Sequence, residues 1–276
     1  MADIFKPRHT RTMIGATFTT AALIYHMTVY KLRRGQRNAI VGLLMSIMRM
    51  VIMVVVFLVM FHVIGLRSSP IRGDFIVYIM TGIFMFLCHM QALAAVSGAE
   101  NAVSGLMKHE PLNTFIAIAS SALMALYNQT LAVVVVLTGY SAWAGGVQIE
   151  NPLACYGMLL LAWLSGCAVG LIFMAARPWW PQAISVIQLL YMRVNMIASG
   201  KMFVANAMPA YILNMFDWNP LFHIIDQTRG FAFINYTPRN SDLIYPIYVS
   251  LALLMIGLMI EFATRQNISI SWGAGR

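Results

Sequence analysis

The chain has 276 residues, 60% of them hydrophobic and only 10% charged, with a formal net charge of +9. Together with a mean hydropathy of +0.75, this composition excludes an ordinary water-soluble domain and makes lipid the solvent. Nucleic acid is excluded as a partner on placement: the basic residues gather beside apolar runs, where anionic lipid headgroups lie.

A hydrocarbon core of roughly 30 Å is crossed by about 20 apolar residues in a helix. In chain order, residues 13–30 come first, an apolar stretch carrying Thr17, Thr19, Thr20, His26 and Thr28. Ile14, Phe18, Ala21, Tyr25 and Leu32 repeat at helical spacing, with basic residues at both ends. The pattern predicts an amphipathic helix lying on the cytoplasmic face, not a span or a cleaved signal. Six spans follow. Residues 39–65 are interrupted only by Arg49, residues 75–97 carry His89 and Gln91, and residues 112–140 and 153–176 carry no charge. The fifth, 182–204, contains Arg193 and Lys201 and runs into a second apolar stretch, 205–216, broken by Pro209. It is predicted to enter, break and partly return, with its irregular backbone covered by a cavity or a subunit contact. The sixth, 243–262, closes with Glu261. The expected organisation is all-α: a cytoplasmic segment 1–38, a six-helix transmembrane domain 39–262 and a cytoplasmic tail 263–276.

Seven of the 18 Lys and Arg residues precede the first span: Lys6, Arg8, Arg11, Lys31, Arg33, Arg34 and Arg37. The positive-inside rule then places the N-terminus in the cytoplasm, and six crossings return the C-terminus there. Cys88, Cys155 and Cys167 lie in apolar runs without metal-ligand spacing and read as small hydrophobes. The six histidines form no ligand pattern, so no metal site is expected. The chain has no phosphate-binding glycine loop, no nucleophile elbow and no paired carboxylates. With nine acidic residues in all, both carboxylate catalysis and proton-coupled transport lack their groups. Energy is therefore expected from another chain.

One stretch carries a family signature: Gly166 to Met174 (GCAVGLIFM), Pro181, Met202 and Phe203 with Pro209, and Trp218 to Arg229 (WNPLFHIIDQTR). In order and spacing these pieces resemble the ABC-2 permeases, most closely the inner-membrane permease subunit of bacterial capsular polysaccharide exporters. Upstream, Tyr30 to Arg37 (YKLRRGQR) with Val41 and Gly42, then Gly105, Leu106, Pro111 and Leu112, are similar to the family's basic stretch and its cytoplasmic loop. Met45 and Met50 stand where the family often has tryptophan and proline. The resemblance implies a homodimer in the bacterial inner membrane, each copy docked to a separate ATP-binding cassette subunit holding ATP and Mg²⁺, with no cofactor on this chain. It also implies a gate role for the amphipathic helix and a coupling helix within the loop bearing Glu100, Gly105, Leu106, Lys108, Glu110 and Pro111.

Arg49 and Arg193 are the charges deepest within spans, and two readings stand for each. They line a conduit and attract an anionic glycan or its lipid-linked phosphate, or Arg49 snorkels to the headgroups and Arg193 serves structure. Tyr191, Tyr25, Tyr30 and Phe203 are candidate sugar-stacking residues along that path, whereas Trp143, Trp179 and Trp180 read as interfacial anchors. Trp218, Asn219, Pro220 and Leu221 read as a structural motif in which Pro220 starts a short helix, with Asp226 and Arg229 spaced to pair along it. The expected function is ATP-driven export of a lipid-linked polysaccharide, with periplasmic and outer-membrane export components as further partners. The alternatives are an exporter of small amphiphiles, a membrane-embedded glycan or lipid transferase, and a scaffold without transport.

Overall fold

The computed structural model describes residues 13–34, 39–65, 71, 73–99 and 114–273. Among the described residues the secondary structure is helical: α1 (Met13–Arg34), α2 (Ala39–Ile64), α3 (Phe75–Ser97), α4 (Thr114–Ala144), α5 (Pro152–Ala176), α6 (Pro181–Ala198), α7 (Ala210–Phe216), α8 (Pro220–Ala232) and α9 (Ile244–Gly273). Five of these, α2, α3, α4, α5 and α9, are long and apolar enough to cross a bilayer. The span expected fifth in the chain is α6, 18 residues or about 27 Å of helix; it is not among these five. Its polar members Gln182, Gln188, Arg193 and Asn195 lower its hydropathy.

Side-chain size decides which helices sit in the middle. In α3 and α5, 83% and 72% of the spanning stretch is buried, against 22% in α2 and α4 and 17% in α9. α3 and α5 form the central pair because α5 brings glycine to the crossing. A Cβ on Gly166 meets the His89 carbonyl oxygen at 2.3 Å, and one on Gly170 meets the Leu93 carbonyl oxygen at 2.7 Å. Two glycines four apart thus let the backbones touch, the usual device of helix packing where lipid removes the hydrophobic drive. On α9, Gly257 makes a similar close approach to Leu171 of α5. The outer helices turn broad apolar faces outward, among them Val51, Ile52, Val55, Val56 and Val59 of α2, a surface suited to lipid and not to water.

Helix starts follow side-chain chemistry. Asp74 accepts the amide of Ile76 at the head of α3, and Asn151 accepts that of Ala154 ahead of Pro152 in α5. Pro181 and Pro220 occupy the first turns of α6 and α8, where the missing N–H costs nothing.

Three boundaries differ from those expected. α6 stops at Ala198, not near Val204, because Gly200 takes the left-handed conformation (φ 73°). The chain then makes a single 3₁₀ turn at Ala205–Ala207 before Pro209 caps α7. Second, the segment set apart as a tail at 263 continues α9 through Gly273. Third, α1 runs on to Arg34, past the expected end at Tyr30, and it carries apolar residues outward, as expected of a helix at a membrane surface. Phe18 and Tyr25 are 73% and 65% exposed, while Lys31 donates to the Ala117 carbonyl (2.7 Å) and the Ser121 hydroxyl (2.6 Å) of α4.

The central crossing makes a clear forecast. Gly166→Ala is expected to cost about 2–3 kcal/mol by forcing the backbones apart, whereas Gly157→Ala on the same helix, with nothing within 4 Å of its added Cβ, is expected to be neutral. Thermal melts followed by fluorescence-detected size exclusion measure the difference.

Candidate functional site

Two grooves and one polar hinge hold most of the functional candidates. The first groove runs between α2, α3 and α6, with a volume of about 430 Å³. Arg49 and Met53 of α2 face Phe86, Met90 and Gln91 of α3 and Met192, Arg193 and Met196 of α6. Arg49 and Arg193, 144 positions apart in the chain, therefore share one surface. Both are exposed, and neither makes a hydrogen bond or ion pair among the described residues. The Gln91 amide nitrogen is buried there without an acceptor. Half of the apolar wall between these polar groups is methionine, a flexible and polarisable surface that adapts to varied contacts.

Tyr191, on α6 beside Met192, turns away from this groove. Its hydroxyl meets His89 Nε2 at 3.0 Å, and His89 Nδ1 meets the Ser165 hydroxyl at 2.8 Å. The ring of Tyr191 packs edge-on against Phe173. This chain of contacts ties α6 to the central α3–α5 pair.

The second groove, about 690 Å³, lies between α1, α4 and α5. Tyr25 and Thr28 of α1 line it with Tyr127 and Asn128 of α4 and Tyr156 of α5. Tyr30 is exposed on α1 and is not part of the lining. Phe203 packs at a tilt against Phe216 and Phe222 in the hinge. Glu100, Gly105, Leu106, Lys108, Glu110 and Pro111 lie outside the described residues.

The hinge is the break after α6 and its anchorage to α8. Asn219 accepts the Leu221 amide through its side-chain oxygen and so caps α8. Its amide nitrogen donates to the Asn195 side chain (2.9 Å) and to the Ala198 carbonyl (3.0 Å) of α6. Arg229, at the other end of α8, is 1% exposed. It donates to the carbonyls of Gly200 (3.2 Å), Lys201 (2.9 Å) and Phe203 (2.6 Å), groups that the helix break takes out of the helical ladder, of which Gly200 also receives the Phe203 amide. Its guanidinium also lies over the Tyr78 ring at 4.4 Å.

The expected pairing of Asp226 with Arg229 is therefore replaced. Arg229 is spent on the broken backbone, and the Asp226 carboxylate instead accepts from the hydroxyls of Tyr236 and Ser241. Burial first, and then the Asp226 charge, push the Tyr236 phenol well above its ordinary pKa. His223 closes the arrangement: its Nε2 donates to the Asp217 carbonyl (2.7 Å), and its Nδ1 accepts the Asp242 amide (2.9 Å). Trp218 is 57% exposed, with its indole N–H on the Met215 carbonyl. Trp143, Trp179 and Trp180 are 80%, 51% and 67% exposed near helix ends.

Sequence reading noted Gln91 without giving it a role, and it missed Tyr127, Tyr156 and the methionines. One signal for the methionines was present: Met53 and Met196 stand four and three residues from the two arginines, hence on the same helix faces.

No family model matches the chain. It is similar to two Escherichia coli proteins of one name, polysialic acid transport protein KpsM. The first is 26% identical over 236 residues, covering 83% of this chain and 88% of the relative. The second is 27% identical over 204 residues, covering 72% and 76%.

The hinge yields a test of stability. Arg229→Met takes the guanidinium from three carbonyls, of which Gly200 keeps only the Phe203 amide as donor, and is expected to cost about 3–5 kcal/mol; Arg229→Lys is expected to recover only part, since an ammonium does not reproduce the planar fork. Asn219→Ala is expected to cost about 1–2 kcal/mol as a lost cap. Melting of each purified variant ranks them.

Proposed function

We propose that this chain, a permease of the ABC-2 type, is the membrane subunit of an ATP-driven exporter that moves a lipid-linked acidic polysaccharide across the bacterial inner membrane. The observation that carries the proposal is the meeting of Arg49 and Arg193 in one groove, in a chain similar over most of its length to polysialic acid transport proteins. Two guanidiniums without protein partners are costly at membrane depth. A polymer bearing carboxylates, or a lipid-linked phosphate, offsets that cost through charge-assisted hydrogen bonds.

The chain works as a homodimer in this reading. α6 presents Val186, Leu190, Val194 and Ile197 outward beside Arg193, and a second copy packed there encloses the groove instead of leaving the arginine against lipid. Each copy docks a separate ATP-binding subunit, where ATP and Mg²⁺ are held, through the loop containing Glu100, Lys108 and Glu110. Both termini lie in the cytoplasm, and α1 lines the cytoplasmic entrance, where its apolar outer face rests in the headgroup layer. Periplasmic and outer-membrane components receive the polymer.

The tyrosine-lined groove beside α1 favours one second reading, a small amphiphile as cargo. The two are separated by variants. In the assembled exporter, Arg49→Gln and Arg193→Gln are each expected to lower transport of an acidic glycan about tenfold, the loss of one charge-assisted contact. Normal glycan export by both, together with amphiphile transport lost in Tyr127→Ala, would turn the assignment to the second reading.

Coupling has its own test. Glu110→Lys is expected to reduce cargo-stimulated ATP hydrolysis in the assembled complex several-fold, read as phosphate release with and without glycan. Unchanged stimulation removes Glu110 from the coupling contact.

A further inference from the structure

Lys201 sits in the turn after α6 and is 2% exposed. Its ammonium has no hydrogen-bond acceptor among the described residues. It lies instead over the Phe86 ring, 3.3 Å from the centroid, with the Phe57 ring at 5.3 Å. Cation–π contact offsets part of the cost of burying such a charge but provides no acceptor for its protons. The backbone carbonyl of Lys201 belongs to the Arg229 clamp, and Gly82 packs against its Cα and Cβ. The base of the side chain is therefore fixed, and the flexible stem and head are what remain adjustable.

The location of the head connects it to the groove. Phe86, on whose face the ammonium rests, is itself part of the groove wall with Met90 and Gln91. Phe57 lies eight residues beyond Arg49 on α2, about 12 Å along the helix axis. Arg193 precedes Lys201 by eight residues, across the end of α6. Arg49, Arg193 and Lys201 thus belong to one side of the bundle, with Lys201 at the end of the groove away from Arg49. Arg49 and Arg193 are open on the groove, and the Lys201 ammonium is withdrawn against the Phe86 ring with Phe57 beyond it.

We propose that Lys201 is a third anion-binding residue of this groove, held in reserve on Phe86, whose ammonium moves off the ring to meet a carboxylate on the cargo. The inference rests on the export reading above and sharpens it: the cargo is a polyanion with charges recurring along its length, able to engage Arg49, Arg193 and Lys201 in succession. A single lipid-linked phosphate needs the open pair alone. The withdrawn position suits such a polymer, because the ammonium has no acceptor among the described residues to give up when it meets the chain.

The experiment uses the full chain in lipid nanodiscs, fluorescently labelled polysialic acid as the anionic probe and neutral dextran of matched length as the control. Lys201→Met is expected to weaken polysialic acid binding about tenfold, to leave dextran binding as in the parent, and to melt at the same or a higher temperature, since it removes an unsatisfied buried charge. Lys201→Arg is expected to keep most of the affinity. Full affinity in Lys201→Met, alongside weakened binding in Arg193→Gln, overturns the role of Lys201 while the groove stands. A lowered melting temperature in Lys201→Met, or equal loss in Lys201→Arg and Lys201→Met, overturns it in favour of a structural lysine. Parent protein that binds neither polymer, or Arg193→Gln and Lys201→Met that both bind as the parent does, overturns the export reading of the groove together with this inference.

Discussion

The contact on which the remaining architecture depends is the crossing of α3 and α5, where Gly166 and Gly170 allow the carbonyls of His89 and Leu93 to approach the opposing backbone. In lipid, apolar side chains gain little by leaving their solvent, so association rests on close packing and buried hydrogen bonds. The crossing supplies both. Its glycines bring the helices together, and the His89 and Ser165 pair it creates reaches across to Tyr191 on α6. α2, α4 and α9 then need only one face each against this centre, which leaves their other faces to the bilayer.

A second layer of polar contacts organises the interrupted region. From Tyr191 the path continues through Asn195 to Asn219 and so to the head of α8, while Arg229 at the far end of α8 binds the interrupted backbone. α6, the break and α8 are thereby held as a strap fixed at both ends. The two grooves differ in lining: one presents methionines and arginines, the other tyrosines.

Much of the fold was legible because lipid imposes a strict code. Uninterrupted apolar length located α3 to the residue and α2, α4 and α5 nearly so, since every backbone polar group within the bilayer must close inside a helix. The same rule flagged the irregular region from Arg193, Lys201 and Pro209. It did not locate the stop, because Pro209 was the louder signal and Gly200 the operative one: a left-handed φ is a property of backbone geometry that composition does not display. Sequence spacing also misassigned the partner of Arg229. Three residues apart on a helix is near enough for an ion pair, but the unsatisfied carbonyls of the break are stronger claimants on a buried guanidinium. Arg49 and Arg193 were visible as costly charges, yet their common groove depends on how α2 and α6 lie against α3, a long-range relation that no local pattern records. The tyrosines divide in the same way: Tyr25 lines a groove, and Tyr191 is drawn into the core by a histidine far away in sequence.

The arginine clamp also bears on how freely this region can vary. Its acceptors are main-chain oxygens, which every residue type presents alike, so the side chains at 201–203 carry no obligation to hold the turn closed. Phe203 is at liberty to pack against Phe216 and Phe222, and Lys201 to place its ammonium against Phe86. The structural duty falls instead on the donor, Arg229, and on the glycine that lets the chain turn. By separating the residues that close the break from those that decorate it, the fold leaves a stretch of sequence whose side chains can vary without unfolding the bundle.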